Sequence, residues 1–541
     1  MKRLFTNATF VTMRDAQERA EALLVDDDGT IAYVGDLGEA RSRAQGAPET
    51  DLHGACVLPG FIDPHSHFTG ALQYLLYADL SQCESFAQIE AVLKEFAATH
   101  PVGEDGVIMA IGYDQNNLEE GRHPTRELLD SVSTEVPILI THVSNHMGVA
   151  NSRLLELAGL DARTPDPEGG RYGRDDDGEL TGYAEEPAAM NSFYAITTPR
   201  MNFDFFSMAD AMQDVYLEHG VTTCQDGATA PDMANVLCAL AERGLLKMDI
   251  VGYPMAGSDP LATLEAHPDY DGTDYRGHFR LGGLKMFLDG SPQGLTAWMS
   301  EPYVEGPEGE RDWCAYGTMS DEDALAFAQM AVDTNHQLLC HTNGDAAADQ
   351  LLRVYAEAQA RSTNPDAKAL RPVMIHCQTV RRDQLETMAE LSMVPSIFAS
   401  HVWYWGDAHV KNFGPVRGGR VSPCGDAVDC GLPFTLHTDT PVLRPNLLEG
   451  VWCAVRRVTK GGRQLDTEQA VSVFDALRAI TCNGAYQYGE ERSKGTLEAG
   501  KLADLAVLDA NPLDVDPDEI RSIKVIATVK EGENVWERKA C

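Results

Sequence analysis

The sequence predicts an α/β protein in which a (β/α)₈ barrel carries a long insertion after its first strand and both termini build a small β-sandwich. Eight short runs rich in apolar and β-branched residues recur along the chain, and helical periodicity follows several of them. This alternation favours the barrel. Strand-like patterns also stand at both ends of the chain, and because termini often lie close together in a domain, they favour the composite sandwich.

The eight runs have the length of strands. They lie at 57–62, 221–225, 248–253, 281–288, 337–341, 373–376, 393–398 and 433–437. Helical periodicity marks 232–244, 321–335, 345–361 and 382–391, and the first three of these segments open with an aspartate, which favours a helix start. A doubly wound open sheet is the alternative. It more often carries a glycine-rich phosphate loop after its first strand, and the sequence has none.

The terminal strand patterns lie at 4–13, 22–26, 30–34, 495–508 and 523–529, and Asp27-Asp28-Gly29 is a hairpin signal between two of them. We therefore assign residues 1–57 and 486–541 to the sandwich and 58–485 to the barrel. Residues from about 70 to 205 separate the first run from the second, which is far longer than one crossover needs. This length indicates an inserted α/β segment.

The composition excludes several classes of protein. The chain has 541 residues, a formal net charge of −40 and 12 dispersed cysteines without a Cys-x-x-Cys pair. The charge disfavours nucleic acid and membranes as partners, and the cysteine spacing disfavours a disulfide scaffold or a thiolate zinc site. The sequence has neither a membrane-spanning apolar run nor a secretory signal, so we expect a cytoplasmic protein. The acidic surface either promotes solubility or attracts cations, and the sequence leaves both open.

Metal-binding side chains stand at the ends of the predicted strands. His65 and His67 point the same way from a strand, so both rings can reach one divalent cation, at about 2.0–2.1 Å if it is zinc. His341, His376 and Asp439 follow at or just past the fifth, sixth and eighth runs. Each alone is more typical of a buried core histidine or a turn residue. Together they indicate a metal site, because a (β/α)₈ barrel brings these strand ends to one face.

Lys285 lies in the fourth run, where an unpaired ammonium would be costly inside a barrel. Two solutions are open. The side chain can reach solvent or pair with Asp289, or a depressed pKa can let it take up carbon dioxide as a carbamate that bridges two cations.

These residues, with Leu-Pro-Gly-Phe-Ile-Asp-Pro-His-Ser-His at 58–67, His-Thr-Asn-Gly-Asp at 341–345 and Thr-Asp-Thr-Pro at 438–441, resemble the amidohydrolase superfamily, in particular its N-substituted formamide deformylase-like subgroup. The resemblance implies a metal-dependent (β/α)₈ hydrolase with one or two divalent ions, expected to be zinc. It implies that His65 and His67 hold the buried metal and that carboxylated Lys285 bridges to a second, which His341 and His376 bind. Asp439 would bind metal and act as general acid/base.

Two positions depart from the subgroup pattern. Ile375 replaces an acidic residue before the sixth-strand histidine, and Thr438 replaces a serine before the aspartate. The isoleucine removes a possible hydrogen bond to a metal-binding histidine. The resemblance further implies eight residues near the substrate: His146, Glu186, Gln225, Asp226, Asp289, His401, Trp403 and Trp405. Residues 401–406 would form an aromatic wall for an apolar portion of the substrate.

The leading hypothesis is a hydrolase of amide-type C–N bonds, such as those of N-acyl or N-formyl amines, in a small and partly apolar molecule. A metal-activated hydroxide would attack while Asp439 transfers the proton. No Gly-x-Ser-x-Gly motif indicates a serine nucleophile. The alternatives are an esterase or lactonase, a deaminase, a non-hydrolytic isomerase or hydratase, or an inactive binding relative. The resemblance also suggests a homodimer.

Overall fold

Strands and helices alternate along most of the chain. The computed structural model describes residues 2–100, 105–115, 117–143, 147–167, 170–201 and 204–539. Its strands are β1 (Arg3–Val11), β2 (Arg19–Ala20), β3 (Ala22–Val25), β4 (Ile31–Gly35), β5 (Glu49–Pro59), β6 (Phe61–Ile62), β7 (Tyr77–Asp79), β8 (Ile108–Tyr113), β9 (Ile138–His142), β10 (Met147–Ala150), β11 (Arg171–Arg174), β12 (Leu180–Glu185), β13 (Val221–Thr229), β14 (Asp249–Pro254), β15 (Phe279–Leu281), β16 (Gly283–Phe287), β17 (Gln337–Thr342), β18 (Val373–His376), β19 (Val394–Ile397), β20 (Thr435–Leu436), β21 (Leu505–Leu508), β22 (Val525–Lys530) and β23 (Glu533–Glu537).

The α-helices are α1 (Leu37–Ala44), α2 (Leu72–Leu76), α3 (Phe86–Thr99), α4 (Arg126–Asp130), α5 (Ser152–Leu157), α6 (Glu186–Thr197), α7 (Phe205–Leu217), α8 (Pro231–Glu242), α9 (Pro260–Ala266), α10 (Asp321–Asp333), α11 (Asp345–Arg361), α12 (Arg382–Glu390), α13 (His401–Gly419), α14 (Cys424–Asp429), α15 (Leu447–Arg456), α16 (Val473–Ala479) and α17 (Cys482–Gln487). In the described part of the chain, no helix is both long and apolar enough to cross a membrane.

The chain divides into two compact units. Unit 1 comprises Met1–Thr69 and Ala209–Cys541, and unit 2 comprises Gly70–Met208. Unit 1 holds the candidate metal-binding residues and the strands of both termini. Unit 2 is a continuous segment with its own sheet.

In unit 1, the terminal strands share one sheet in the order β23-β22-β21-β5-β1-β3-β4, with β2 also paired to β1. Neighbouring residues of a strand point to opposite faces, and the core follows this rule. Phe5 and Leu23 belong to one apolar cluster, whereas Leu4 and Leu24 belong to another that includes helix α1. Both faces of this part of the sheet are therefore covered by apolar side chains.

The other strands of unit 1 are parallel and form two sheets, β15-β14-β13-β6 and β16-β17-β18-β19-β20. One stretch of chain, Phe279 to Phe287, supplies an edge strand to each sheet and changes sheets at Gly282 and Gly283. A Cβ atom at Gly283 would collide with the carbonyl oxygen of Gln337, so the close approach to β17 requires glycine. Parallel pairing places the carboxyl ends of the strands within each sheet at the same edge.

The first predicted strand is divided in the structure. Residues up to Pro59 belong to β5 of the terminal sheet, and only Phe61–Ile62 pair with β13 of a parallel sheet. The apolar run 57–62 is continuous because both partners bury it, so hydrophobicity alone does not mark the boundary. The predicted strand at 495–508 was also too long, since only Leu505–Leu508 is extended.

Unit 2 is built on a six-stranded sheet of order β11-β12-β10-β9-β8-β7. Strands β7, β8 and β9 are parallel, and the other pairs are antiparallel. Ile138 and Ile140 pack in one apolar cluster while Leu139 packs in another, so this sheet is buried on both faces. The mixed α/β class predicted from the sequence is confirmed.

Candidate metal centre

Five strands of unit 1 carry the predicted metal-binding side chains. His65 and His67 follow β6, Lys285 lies within β16, and His341 within β17. His376 is the last residue of β18, and Asp439 lies three residues beyond β20. The structure brings all six together at the carboxyl ends of the parallel strands, where active sites of such folds lie.

Short distances join the six residues. Asp439 Oδ1 lies 3.4 Å from His65 Nε2 and 3.3 Å from His67 Nε2. Lys285 Nζ lies 3.4 Å from the same His65 nitrogen. On the other side, His376 Nε2 lies 3.1 Å from His341 Nδ1. Donor atoms of His65, His376 and Asp439 all lie within 4.8 Å of one another, which is the spacing of a metal-binding group.

Two of these residues have an unusual backbone conformation. His376 has a φ of 78° and Asp439 has a φ of 55°, both in the left-handed region that residues other than glycine rarely adopt. Such conformations cost about 1–3 kcal/mol and occur preferentially at functional sites. The backbone thus turns these side chains into the cluster at an energetic cost.

Burial favours the neutral form of three of the imidazoles, those of His65, His341 and His376. It lowers the pKa of His65 and His376 well below the usual value, and with the Lys285 charge it lowers the pKa of His341 to about 4. Burial also lowers the pKa of Lys285 to about 8. Burial alone would raise the pKa of Asp439, but its hydrogen bond to His67 and nearby cationic groups hold it below the usual value. The site therefore offers neutral ring nitrogens beside an ionised carboxylate.

The hydrogen bonds of His65 test whether a metal ion fits. Its Nδ1 lies 3.0 Å from Gln225 Oε1, which only accepts, so Nδ1 carries the proton and Nε2 offers a lone pair. That lone pair faces the Asp439 carboxylate, which also only accepts. A cation between or beside two such acceptors offsets the repulsion between them. A divalent metal fits this donor set, and Lys285 supplies a positive charge next to it.

Comparison with known proteins identifies the family of this chain. The model of the amidohydrolase family matches residues 49–536. The chain belongs to the amidohydrolase family. It is 28% identical over 551 aligned residues to the N-substituted formamide deformylase of Arthrobacter pascens, covering 99% of this chain and 98% of that protein. Membership of this family and the likeness to a deformylase support a hydrolase with a possible metal-binding site.

Solved structures share the fold. An uncharacterised metal-dependent hydrolase from Pyrococcus horikoshii OT3 matches with a TM-score of 0.76 and 24% identity, over 96% of this chain and 99% of that chain. A variant of an atrazine chlorohydrolase from Arthrobacter aurescens, complexed with zinc and atraton, matches with a TM-score of 0.52 and 16% identity, over 99% and 95% of the two chains. At these low sequence identities, the structural likeness shows a common fold alone.

Three of the predicted substrate residues of this amidohydrolase form hydrogen bonds with candidate metal ligands or with the segments next to them. Gln225 holds the outer nitrogen of His65, as described above. Asp226 Oδ1 accepts hydrogen bonds from the backbone N–H and the hydroxyl of Thr69, at 3.0 and 2.7 Å, and so anchors the segment after His67. Asp289 Oδ1 lies 3.7 Å from His341 Nε2, and the carboxylate also accepts hydrogen bonds from backbone groups.

Asp289 accepts three backbone hydrogen bonds, from Asn343 at 2.9 Å, Gly344 at 2.6 Å and Trp298 at 3.1 Å. Burial raises its pKa to about 7, while these hydrogen bonds act in the opposite direction. A Cβ atom at Gly344 would collide with the Trp298 carbonyl oxygen. Only glycine therefore allows the backbone at position 344 to lie this close to Trp298. Asp289 thereby fixes the loop that follows His341.

The predicted aromatic wall is divided in the structure. The His401 ring lies 4.8 Å from Phe398 and 4.4 Å from Trp405, and Phe398 lies 6.1 Å from His376. These rings are close to the metal-binding cluster. The Trp403 ring contacts Trp452 at 5.1 Å and the guanidinium of Arg521 at 4.7 Å. Glu186 is exposed in unit 2, and His146 lies outside the described residues.

Sequence reasoning missed two residues of this region. His437 is buried, and its ring centroid lies 5.2 Å from those of both His65 and His376. Asp63 is fully buried and accepts hydrogen bonds from Thr438 and the backbone N–H of His65. Burial raises the Asp63 pKa to about 7. The repeated His-x-His and His-x-Asp spacing at 65–67 and 437–439 was the available signal for His437.

A second group of possible metal donors has a different character. Asp249, His278 and Glu531 lie close enough to hold an ion. However, Asp249 Oδ2 already lies 2.6 Å from Lys494 Nζ and 2.8 Å from Lys530 Nζ. These buried ammonium groups neutralise the carboxylate, so this group is an ion-pair network that joins the start of β14 to the terminal sheet.

Proposed function

We propose that this amidohydrolase hydrolyses an amide-type C–N bond, as in an N-acyl or N-formyl amine, in a small and partly apolar molecule. The observation that carries the proposal is the arrangement of His65 Nε2 and Asp439 Oδ1, two acceptor atoms that face one another 3.4 Å apart beside Lys285. A site of this kind holds a cation and a proton acceptor together. The similarity to a protein named N-substituted formamide deformylase supports the choice of bond.

His65, His67, Lys285, His341, His376 and Asp439 would hold one or two divalent ions, and we propose zinc. When bound, zinc polarises an acyl carbonyl group and lowers the pKa of a bound water towards neutrality. Lys285 has the pKa needed for carboxylation, since burial lowers it to about 8. The neutral amine would add to carbon dioxide and release one proton, leaving a carbamate with two oxygen donors.

Asp439 is the proposed general acid/base. Its Oδ1 stands between His65 and His67, and its pKa is held below the usual value, so the carboxylate is ready to accept a proton from the attacking water. The same oxygen would pass that proton to the leaving nitrogen. Because an amine is a poor leaving group without a proton, this transfer is the step on which C–N cleavage depends.

Phe398, His401 and Trp405 would face the apolar portion of the substrate. Their rings contact one another and lie on the side of the cluster formed by His376. An apolar acyl or amine group packed there would be removed from water, which favours partly apolar substrates. His146 and Glu186 stay proposals as further substrate contacts.

At the level of architecture, we propose that the parallel strands of unit 1 close into one (β/α)₈ barrel and that the terminal sheet folds into a sandwich. The continuous stretch 279–287, which supplies β15 to one parallel sheet and β16 to the other, supports closure. The backbone hydrogen bonds from His67 to Thr440 and from Asp439 to His65 support it as well. We also propose a homodimer and a small-molecule substrate as the partners.

Substrate panels test the function. Zinc-loaded protein is incubated with N-formyl and N-acyl amines and with esters that carry the same acyl and apolar groups, and released amine or alcohol is measured. We expect preferential release of amine. Release of alcohol alone would replace the proposal with an esterase, and release of ammonia from an aminated ring would replace it with a deaminase. No turnover of any class by metal-loaded protein would support an inactive relative.

A further inference from the structure

His437 stands between a metal-binding histidine and a buried serine. Its Nε2 lies 3.3 Å from His376 Nδ1, and its Nδ1 lies 2.8 Å from Ser396 Oγ. His437 is 1% exposed, His376 is 4% exposed and Ser396 is fully buried. These contacts therefore form in the absence of competing water, where a hydrogen bond has a strong effect on which ring nitrogen carries the proton.

We infer that His437 is a positioning residue that fixes the tautomer of His376 for metal binding. His376 Nε2 faces the cluster, 3.1 Å from His341 Nδ1. It can bind a cation only when its proton is on Nδ1, and that proton needs an acceptor. His437 Nε2 is in place to accept it, and the remaining His437 proton, on Nδ1, is then donated to the Ser396 hydroxyl oxygen.

The Ser396 hydroxyl allows a second arrangement of these hydrogen bonds. A hydroxyl both donates and accepts, so the same three residues can reverse their hydrogen bonds. In the reversed state, Ser396 donates to His437, His437 donates to His376, and His376 Nε2–H points to His341 Nδ1. That nitrogen accepts when the other nitrogen of His341 carries the proton and donates it to the carbonyl oxygen of Gly290, 3.2 Å away. Metal binding would select the first state, in which the His376 Nδ1 proton and the His437 Nδ1 proton each have an acceptor.

The residue that precedes His376 cannot take this role. Ile375 is fully buried in an apolar cluster with Val251 and Leu339, and it has no acceptor atom. The sequence pattern indicated that a hydrogen bond to the sixth-strand histidine is lost at this position. His437 provides a hydrogen-bond partner from a different strand end.

The inference rests on the proposed metal site, and Zn²⁺ affinity tests both separately. Metal-free protein is titrated with Zn²⁺ in the presence of a competing chelator. We expect His437→Leu to bind Zn²⁺ about 10- to 100-fold more weakly than the wild type, the usual effect of losing a partner of a metal-binding histidine. His437→Gln, whose amide can accept from His376 and donate to Ser396, should recover most of the affinity.

His409→Leu is the matched control, because His409 is also a fully buried imidazole of unit 1. It forms a hydrogen bond with His401, which is not a candidate metal ligand. It should bind Zn²⁺ as the wild type does. The visible absorption of the Co²⁺-loaded protein provides a second measurement, which should change in His437→Leu and return towards the wild-type spectrum in His437→Gln.

The outcomes separate the two ideas. A wild-type protein that binds no Zn²⁺ contradicts the proposed function, whereas equal affinity of wild type and folded His437→Leu overturns only the role of His437. If His437→Leu does not fold, Ser396→Ala and Ser396→Thr decide. We expect the alanine variant to bind Zn²⁺ several-fold more weakly and the threonine variant, which keeps the hydroxyl, to match the wild type. Equal affinity of both variants would overturn the inference.

Discussion

His65 Nε2 and Asp439 Oδ1 lie 3.4 Å apart although each atom offers a lone pair to the same space. Gln225 takes the only proton of the neutral His65 ring, and the pKa of Asp439 is held low. Lys285 Nζ lies 3.4 Å from His65 Nε2, and its positive charge offsets the repulsion between the two acceptors. A metal ion bound in the proposed site would offset this repulsion further, so removing the metal should affect both stability and activity.

Metal removal is expected to destabilise the protein. A ligand present at a hundred times its Kd stabilises the folded state by about 2.7 kcal/mol, so a chelator should lower the Tm of a chain of this length by about 2–3 °C. Differential scanning fluorimetry with and without chelator measures this, and added Zn²⁺ should restore the Tm. His65→Ala should respond much less to the chelator. An identical response of that variant would contradict the role of His65.

Asp439→Asn is expected to abolish proton transfer while most of the metal binding remains. General acid/base groups contribute about 10²- to 10⁴-fold to rate, so kcat should fall by at least that range. Amine release and metal content are measured on the same preparation. Asp333→Asn, on the exposed end of α10, is the control and should keep full activity. Full activity of Asp439→Asn would exclude the acid/base role.

Asp289→Asn should weaken the loop after His341. An asparagine places an N–H₂ group among backbone donors, so at least one of the three hydrogen bonds is lost, at a cost of about 1–3 kcal/mol. Urea unfolding measures the loss. Asp175→Asn is a matched control, because Asp175 also accepts from backbone N–H groups but is exposed, and we expect a smaller effect. Equal losses would show that burial of Asp289 is unimportant.

The buried network around Asp249 should be a major contributor to stability. Asp249→Asn leaves the ammonium groups of Lys494 and Lys530 with less compensation, and breaking a buried pair typically costs about 3–5 kcal/mol. The exposed pair of Lys247 and Asp210 is the control, and Lys247→Ala should cost less than about 1 kcal/mol. Comparable free energies of unfolding for the two variants would contradict this assignment.

The same network predicts a pH dependence. Burial alone would raise the pKa of Asp249, but Lys494 and Lys530 hold it well below the usual value. A lowered folded-state pKa gives stability that is present above the unfolded pKa of about 3.9 and lost as pH falls further. The difference in unfolding free energy between wild type and Asp249→Asn should be constant from about pH 6 to 8 and shrink below about pH 4. A difference that does not change in acid would contradict the prediction.

Much of the candidate site could be predicted from local sequence. His65, His67, His341, His376 and Asp439 stand at or just past strand ends that hydrophobic runs mark, and the structure brings them together. Helix α11 begins and ends where periodicity placed it, because an aspartate opens the helix and an apolar face runs along it. These features depend on residues close to one another in the chain.

Other features depended on distant partners. The sequence did not indicate that Trp403 packs against Trp452 and Arg521, which are 49 and 118 residues further along the chain. The run 57–62 was expected to be one strand, yet two different sheets pair with its two halves. No local pattern specifies which of two apolar neighbours a strand or an aromatic ring will contact.

The sequence by itself determined the α/β class, the order of the candidate metal-binding residues and the family resemblance, because strand periodicity and motif spacing are local properties. Only the tertiary structure decided the contacts behind the metal-binding side chains: Gln225 on His65, Asp289 on the loop after His341, and His437 on His376. Those partners lie between 54 and 160 residues away along the chain. Hydrogen bonds over such separations are set by the register of paired strands and the backbone turns at their ends, which the chain acquires only when it folds.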